Sequence, residues 1–185
     1  MGKSIVRLLQ EAEADLAPVS VRRGKYETLD GYVVDVGDDW VVIAATSQVV
    51  YLDGWEVVRV CDISGVRIAS RKARRYSDRA IAGLGTPVSK PAGLHVVGKG
   101  RKSVLRDVLN SAPVVTVHSE KKHPATVWVG HVLGFRGKRF ALQFIDANGV
   151  WETGDRRFTL SEITRVTIGG RYNDALERFG EPRPE

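Results

Sequence analysis

The chain is nearly free of cysteine: Cys61 stands alone among 185 residues. One thiol excludes an intrachain disulfide, a zinc ribbon and Cys-x-x-Cys redox chemistry, and it agrees with a reducing compartment. Long apolar runs are missing too. None approaches the roughly 20 residues a membrane helix needs, and Arg7 and Gln10 interrupt any secretory apolar core near the start. The expectation is a cytoplasmic protein with no membrane partner. Apolar residues at 43% and charged residues at 27% are ordinary globular usage. The length suits one domain or two small ones.

Catalytic signatures are equally scarce. The chain contains no Gly-x-Ser-x-Gly and no His-Glu-x-x-His. Gly93 to Lys99 has the spacing of a phosphate-binding loop, but Gly100 stands where Ser or Thr would hold magnesium. His118 and His123 flank two lysines with no thiolate nearby and a single carboxylate, Glu120, between them, which reads as exposed loop histidines rather than a metal site. Cys61 reads as a half-buried structural thiol, and the four tryptophans as packing. The carboxylates recurring in step, Asp62 with Glu162 and Asp78 with Asp174, read as turn and first-turn helix residues. No enzyme, cofactor or metal is implied.

What is present is an internal duplication. Lys3-Ser4-Ile5-Val6-Arg7 recurs as Lys102-Ser103-Val104-Leu105-Arg106, and Ala17-Pro18-Val19 as Ala112-Pro113-Val114. Gly31-Tyr32-Val33-Val34 is echoed by Gly130-His131-Val132-Leu133. Ile63-Ser64-Gly65-Val66 is echoed by Ile163-Thr164-Arg165-Val166. Arg75-Tyr76-Ser77-Asp78 returns as Arg171-Tyr172-Asn173-Asp174, and Gly85-Thr86-Pro87 as Gly180-Glu181-Pro182. The divisions are 1–87, a basic Gly/Pro linker at 88–101, and 102–185.

Each repeat predicts one order of elements. An amphipathic helix spans 4–14 or 103–110, with Ser4 and Ser103 as N-caps. Five strands follow, at 19–22, 29–36, 40–45, 56–60 and 65–68, and at 114–118, 127–135, 139–145, 157–160 and 165–168. A last helix covers 76–84 or 172–179 before a glycine. Short β-branched runs at this spacing indicate a sandwich or small barrel. The fold class expected is mainly β: two tandem five-stranded antiparallel barrels, each with an N-terminal and a short C-terminal helix.

Helix, five strands, a glycine in the long second strand and paired endings at Val60 to Val66 and Leu160 to Val166 together resemble the Sm-like family (Sm, Lsm and Hfq). The resemblance covers residues 3–70 and 102–169. It implies barrels that join edge strand four to edge strand five of a neighbour, and hence a homo-oligomeric ring of barrels. It also implies RNA as a partner. Family members hold RNA through Asp-x-Asn and Arg-Gly; here the matching loops are Gly37-Asp38-Asp39 or Arg136-Gly137-Lys138, and Cys61-Asp62-Ile63 or Ser161-Glu162-Ile163. The family's pocket does not carry over residue by residue.

Charge offers the remaining signal. The chain is formally +6, and the stretch from Arg59 to Arg106 holds twelve Lys and Arg against Asp62 and Asp78. From Leu8 to Val58 ten acids face Arg22, Arg23 and Lys25. The leading expectation is therefore a non-enzymatic RNA-binding protein. Arg71, Lys72, Arg74, Arg75, Lys99, Arg101 and Lys102 would contact phosphate from an extended, mobile linker and its flanks. Arg136, Lys138 and Arg139 would add a basic hairpin tip beside Phe135 and Phe140. A linker that is merely solvated, or that folds back on the acidic first repeat, is the other reading of that charge. The alternative function is a protein-interaction or assembly module with no nucleic-acid role.

Overall fold

The computed structural model describes residues 4–184. Lys3, the first residue of the first repeated landmark, lies outside them. Helix α1 (Ile5–Ala14) starts where the Ser4 hydroxyl accepts the Arg7 amide at 3.3 Å, and it buries Leu9 and Ala12. Strands β1 (Pro18–Arg23), β2 (Tyr26–Val36), β3 (Trp40–Ser47) and β4 (Tyr51–Arg59) follow. A 3₁₀ turn leads to β5 (Gly65–Ile68) and helix α2 (Arg71–Leu84). The same order then returns as α3 (Arg101–Leu109), β6 (Val115–His118), β7 (Val127–Arg136), β8 (Arg139–Phe144), β9 (Arg156–Thr159), a 3₁₀ turn, β10 (Arg165–Ile168) and α4 (Gly170–Phe179).

These strands do not close into two separate five-stranded barrels, as the sequence led us to expect. They form one open antiparallel sheet of ten strands in the order β5-β1-β2-β3-β4-β10-β6-β7-β8-β9. The seam is β10, which pairs with β6 of its own half on one side and with β4 of the other half on its second side. Its register sets Arg165 opposite Val58 and Thr167 opposite Glu56. Joining β4 to β10 satisfies the backbone groups of two strands that would otherwise be edges.

The cores confirm one body. Leu9, Val21, Val33, Val41, Ile43 and Val58 pack between α1 and the first strands. A second, larger cluster takes Trp40, Val42 and Val57 from β3 and β4 and packs them with α3, β6 to β10 and two residues of the 88–101 segment, Leu94 and Val96. That segment is therefore no mobile tether. Leu94 and Val96 are each 2% exposed, the Val96 amide donates to the Asp35 carboxylate at 2.9 Å, and the Trp55 indole donates to the Ser89 carbonyl. Apolar side chains at two positions overrode the Gly, Pro and Lys content that predicted a tether.

Two glycines explain the long strands. A Cβ at Gly31 would lie 2.2 Å from the Ala44 carbonyl oxygen, and one at Gly130 would lie 2.0 Å from that of Gln143. At each repeated glycine a carbonyl of the neighbouring strand stands where a side chain would go, which only a missing side chain allows. Some expectations fail locally. Ser103 lies inside α3, whose N-cap is Gly100. Helix α2 begins at Arg71 because the Ser70 hydroxyl accepts the Ala73 amide at 3.3 Å, so Asp78 sits mid-helix beside Arg74. Cys61 is exposed. No helix among the described residues is long and apolar enough to cross a membrane.

A shared core predicts one cooperative unfolding transition, with tryptophan fluorescence and far-UV circular dichroism coinciding in urea. Leu94→Ala is expected to cost about 2–5 kcal/mol without splitting that transition. Two transitions would show that the halves fold independently.

Candidate nucleic-acid interface

The ten basic residues singled out in the sequence fall in three places. Arg71, Lys72, Arg74 and Arg75 lie on the first turns of α2, which packs Ile81 against Tyr32 and Ala44 of β2 and β3. Arg74 is committed: it pairs with Asp78 at 3.3 Å and donates to the Asp15 carbonyl at 3.0 Å. Arg71, Lys72 and Arg75 are exposed. Near the start of α3, Lys99 pairs with Asp107 at 2.7 Å and Arg101 reaches the Ser161 carbonyl at 3.4 Å, while Lys102 stays exposed. Arg136, Lys138 and Arg139 form the exposed β7–β8 hairpin. Three strands, β4, β10 and β6, separate the sheet position of α2 from that hairpin.

At the hairpin the structure adds arginines that sequence reasoning had not assigned to a site. Arg106 of α3 lays its guanidinium over the Phe135 ring, 4.9 Å from the centroid, and donates to the Gly137 carbonyl at the tip. Arg157 of β9 lines a groove of about 470 Å³ with Phe135, Arg136, Arg139 and Phe140. Arg156 stands over Phe144 at 5.2 Å. Asp155 also lines the groove and lies 3.7 Å from Arg157. Arg136, Lys138 and Arg139 have no ion-pair partner among the described residues. The sequence signal was the adjacent Arg156-Arg157 in a short edge strand.

A second cluster, at the seam, was not legible in the sequence. Arg23, ending β1, is 1% exposed and meets Glu120 through two donors, one at 2.8 Å. The Thr164 hydroxyl donates to the same carboxylate at 2.8 Å. Arg165 donates to His118 Nδ1 at 3.1 Å and lies 3.7 Å from both Glu56 and Glu120. Since arginine offers only donors, His118 Nδ1 is the acceptor and Nε2 carries the proton, 3.2 Å from the Thr167 hydroxyl. That hydroxyl lies 3.0 Å from Glu56. His118 is thus a buried, neutral structural group, not the exposed loop histidine expected. With both ring nitrogens engaged, it is held as a bridging group rather than presented as a base.

Neither a family model nor a curated protein nor a solved structure matches the chain.

Burial pushes the Glu56 carboxyl up to about 7, with Arg165 pulling the other way. Burial, aided by Arg165, takes His118 down to about 3. The signs oppose one another. Folded Glu56 keeps a proton that the unfolded chain loses above 4.5, so its contribution falls as pH rises from 4.5 to about 7. Folded His118 lacks a proton that the unfolded chain holds below 6.5, so its contribution grows from about pH 3 to 6.5. Glu56→Gln removes only the first. The stability difference, variant minus wild type, is expected to climb between pH 4.5 and 7 by up to about 1.4 kcal/mol per pH unit. Urea midpoints across that range measure it, and a flat difference would place Glu56 outside the titration.

Proposed function

We propose that the chain is a non-enzymatic nucleic-acid-binding protein, that its ligand is single-stranded RNA, and that it binds through the arginine groove beside the β7–β8 hairpin. The observation that carries this reading is a groove of about 470 Å³ with Arg136, Arg139 and Arg157 on its walls. Guanidinium groups meet phosphate oxygens with paired donors and offer flat faces to unpaired bases. The aromatic rings serve mainly beneath them: Phe140 is 1% exposed and Phe135 is half-buried under Arg106. Arg71, Lys72 and Arg75 of α2 form a second exposed basic strip that would lengthen the footprint.

The alternative, an assembly module, draws on the seam. Joining a fourth strand to a fifth, as β4 joins β10, is the pairing that the Sm-like resemblance implies between neighbours, and it supports keeping that resemblance as a likeness of strand order. The sheet ends in two free edges, β5 and β9. Carrying the β4·β10 register over to β9 and the β5 of a second copy sets Arg156 opposite Arg67. Like charges directly opposite oppose pairing, and charged edges are a common guard against it. A single chain is therefore the state the edges favour, and a dimer or ring in light scattering at low salt would shift the reading to assembly.

Fluorescence anisotropy with a labelled single-stranded RNA across a salt series tests the leading reading. Replacing Arg136, Arg139 and Arg157 by Ala is expected to weaken binding and to flatten the slope of log K against log salt by about 0.7 for each phosphate no longer neutralised. The parallel Arg71, Lys72, Arg75 variant is expected to have the smaller effect. Absence of binding at low salt would remove the nucleic-acid reading.

A further inference from the structure

Arg165 sits at the seam between two adjoining hollows, of about 390 and 300 Å³, and lines both. Its side chain is 8% exposed, and its Nε has no hydrogen-bond partner among the described residues. The Arg165 Nη1 group is met at 3.4 Å by Glu27, whose side chain is 71% exposed. The pairing is lopsided. A buried guanidinium has been desolvated and needs a partner, whereas an exposed carboxylate gains little from supplying one. Such a carboxylate is readily exchanged for another.

The other two acids, Glu56 and Glu120, each lie 3.7 Å from the Arg165 Nε but also serve other groups. Glu120 is engaged by Arg23 and Thr164, and Glu56 receives the Thr167 hydroxyl while lying 3.7 Å from Arg165. The larger hollow has Lys25 and Tyr26 on its wall, together with the apolar surfaces of Pro124 and Val127, the latter 55% exposed. We propose that this hollow is a binding site for a small organic anion, whose carboxylate or phosphate takes the place of Glu27 on Arg165 while its apolar body lies along Pro124 and Val127. Lys25 adds a second positive charge at the rim. Glu27 then acts as a built-in competitor that occupies the Arg165 Nη1 donor when the site is empty. The site is independent of the hairpin groove and stands or falls without it.

Titration of the full chain with benzoate and, separately, with inorganic phosphate tests this, read from the arginine side-chain Nε–Hε resonances in ¹⁵N–¹H spectra. The expected result is a saturable shift of the Arg165 resonance by at least one probe, and the stronger probe tells whether carboxylate or phosphate is the preferred head group. Glu27→Gln lies on the surface and leaves the buried network in place. It is expected to tighten binding about two- to fivefold, the worth of an exposed ion pair. Lys25→Ala is expected to loosen it. The proposal is overturned by non-saturating shifts in wild type and in Glu27→Gln alike. It is equally overturned by shifts confined to the hairpin arginines, or by an affinity that Glu27→Gln leaves unchanged or lowers.

Discussion

The pairing of β4 with β10 is the constraint on which the rest of this molecule depends. Backbone hydrogen bonds alone would let a strand slip, because they are alike along its length. Here the register is fixed by a buried network of polar side chains that only one alignment satisfies. Thr167 must face Glu56, and Arg165 must reach Glu56, Glu120 and His118 at once. Shifting β10 by one residue would turn Val166 out of the core and Arg165 into it. Buried charges contribute little net stability when complete, but they are expensive to leave unmatched, so they act chiefly by excluding the wrong register.

From that seam follows the placement of everything basic. The 88–101 segment crosses from one half to the other, and its two apolar anchors enter the core that the seam creates. Once Leu94 and Val96 are buried, Lys99 and Arg101 are carried to the head of α3, where Asp107 and the Ser161 carbonyl receive them. Helix α3 in turn brings Arg106 onto Phe135. The hairpin groove is therefore positioned by a chain of packed contacts running back to the seam.

The sequence disclosed local structure well and long-range structure poorly, for physical reasons. Strands β5 and β10 were delimited without error, because β-branched runs between turn residues are local signals. Glycines 31 and 130 were recognised, although their cause is the close approach of the next strand. Helix α2 was foreshortened by five residues, since the run Arg71-Lys72-Ala73-Arg74-Arg75 looks like a charged loop until Ser70 is seen to cap it. The seam network was invisible. Arg23 and Glu120 are 97 residues apart, and Glu56 and Thr167 are 111 apart, so no window of sequence holds both partners. The hairpin half of the basic site was legible, as adjacent residues on one turn. The placing of Arg157 on its wall and of Arg106 over Phe135 was not, because only the packing of β9 and α3 brings them there.

The same long-range pairing explains which bases a chain of mixed sign leaves uncancelled. Five acidic residues of the first half are engaged by the second half or by the connecting segment. Glu27 and Glu56 meet Arg165, Asp53 meets Arg171 at 3.0 Å, Asp62 meets Lys121 at 2.6 Å, and Asp35 lies 3.7 Å from Lys90 of the connecting segment. Each of these pairs cancels a base of the second half or of the connection. Among the bases that escape cancellation are those of the β7–β8 hairpin, Arg136, Lys138 and Arg139, to which the first half supplies no carboxylate among the described residues. Exposed bases thus remain in two places, at this hairpin and on α2, where Arg71, Lys72 and Arg75 are also without an ion-pair partner among the described residues. Field strength at a surface follows local, uncancelled charge rather than the total, so the pairs made across the joint decide which bases still act on the solvent.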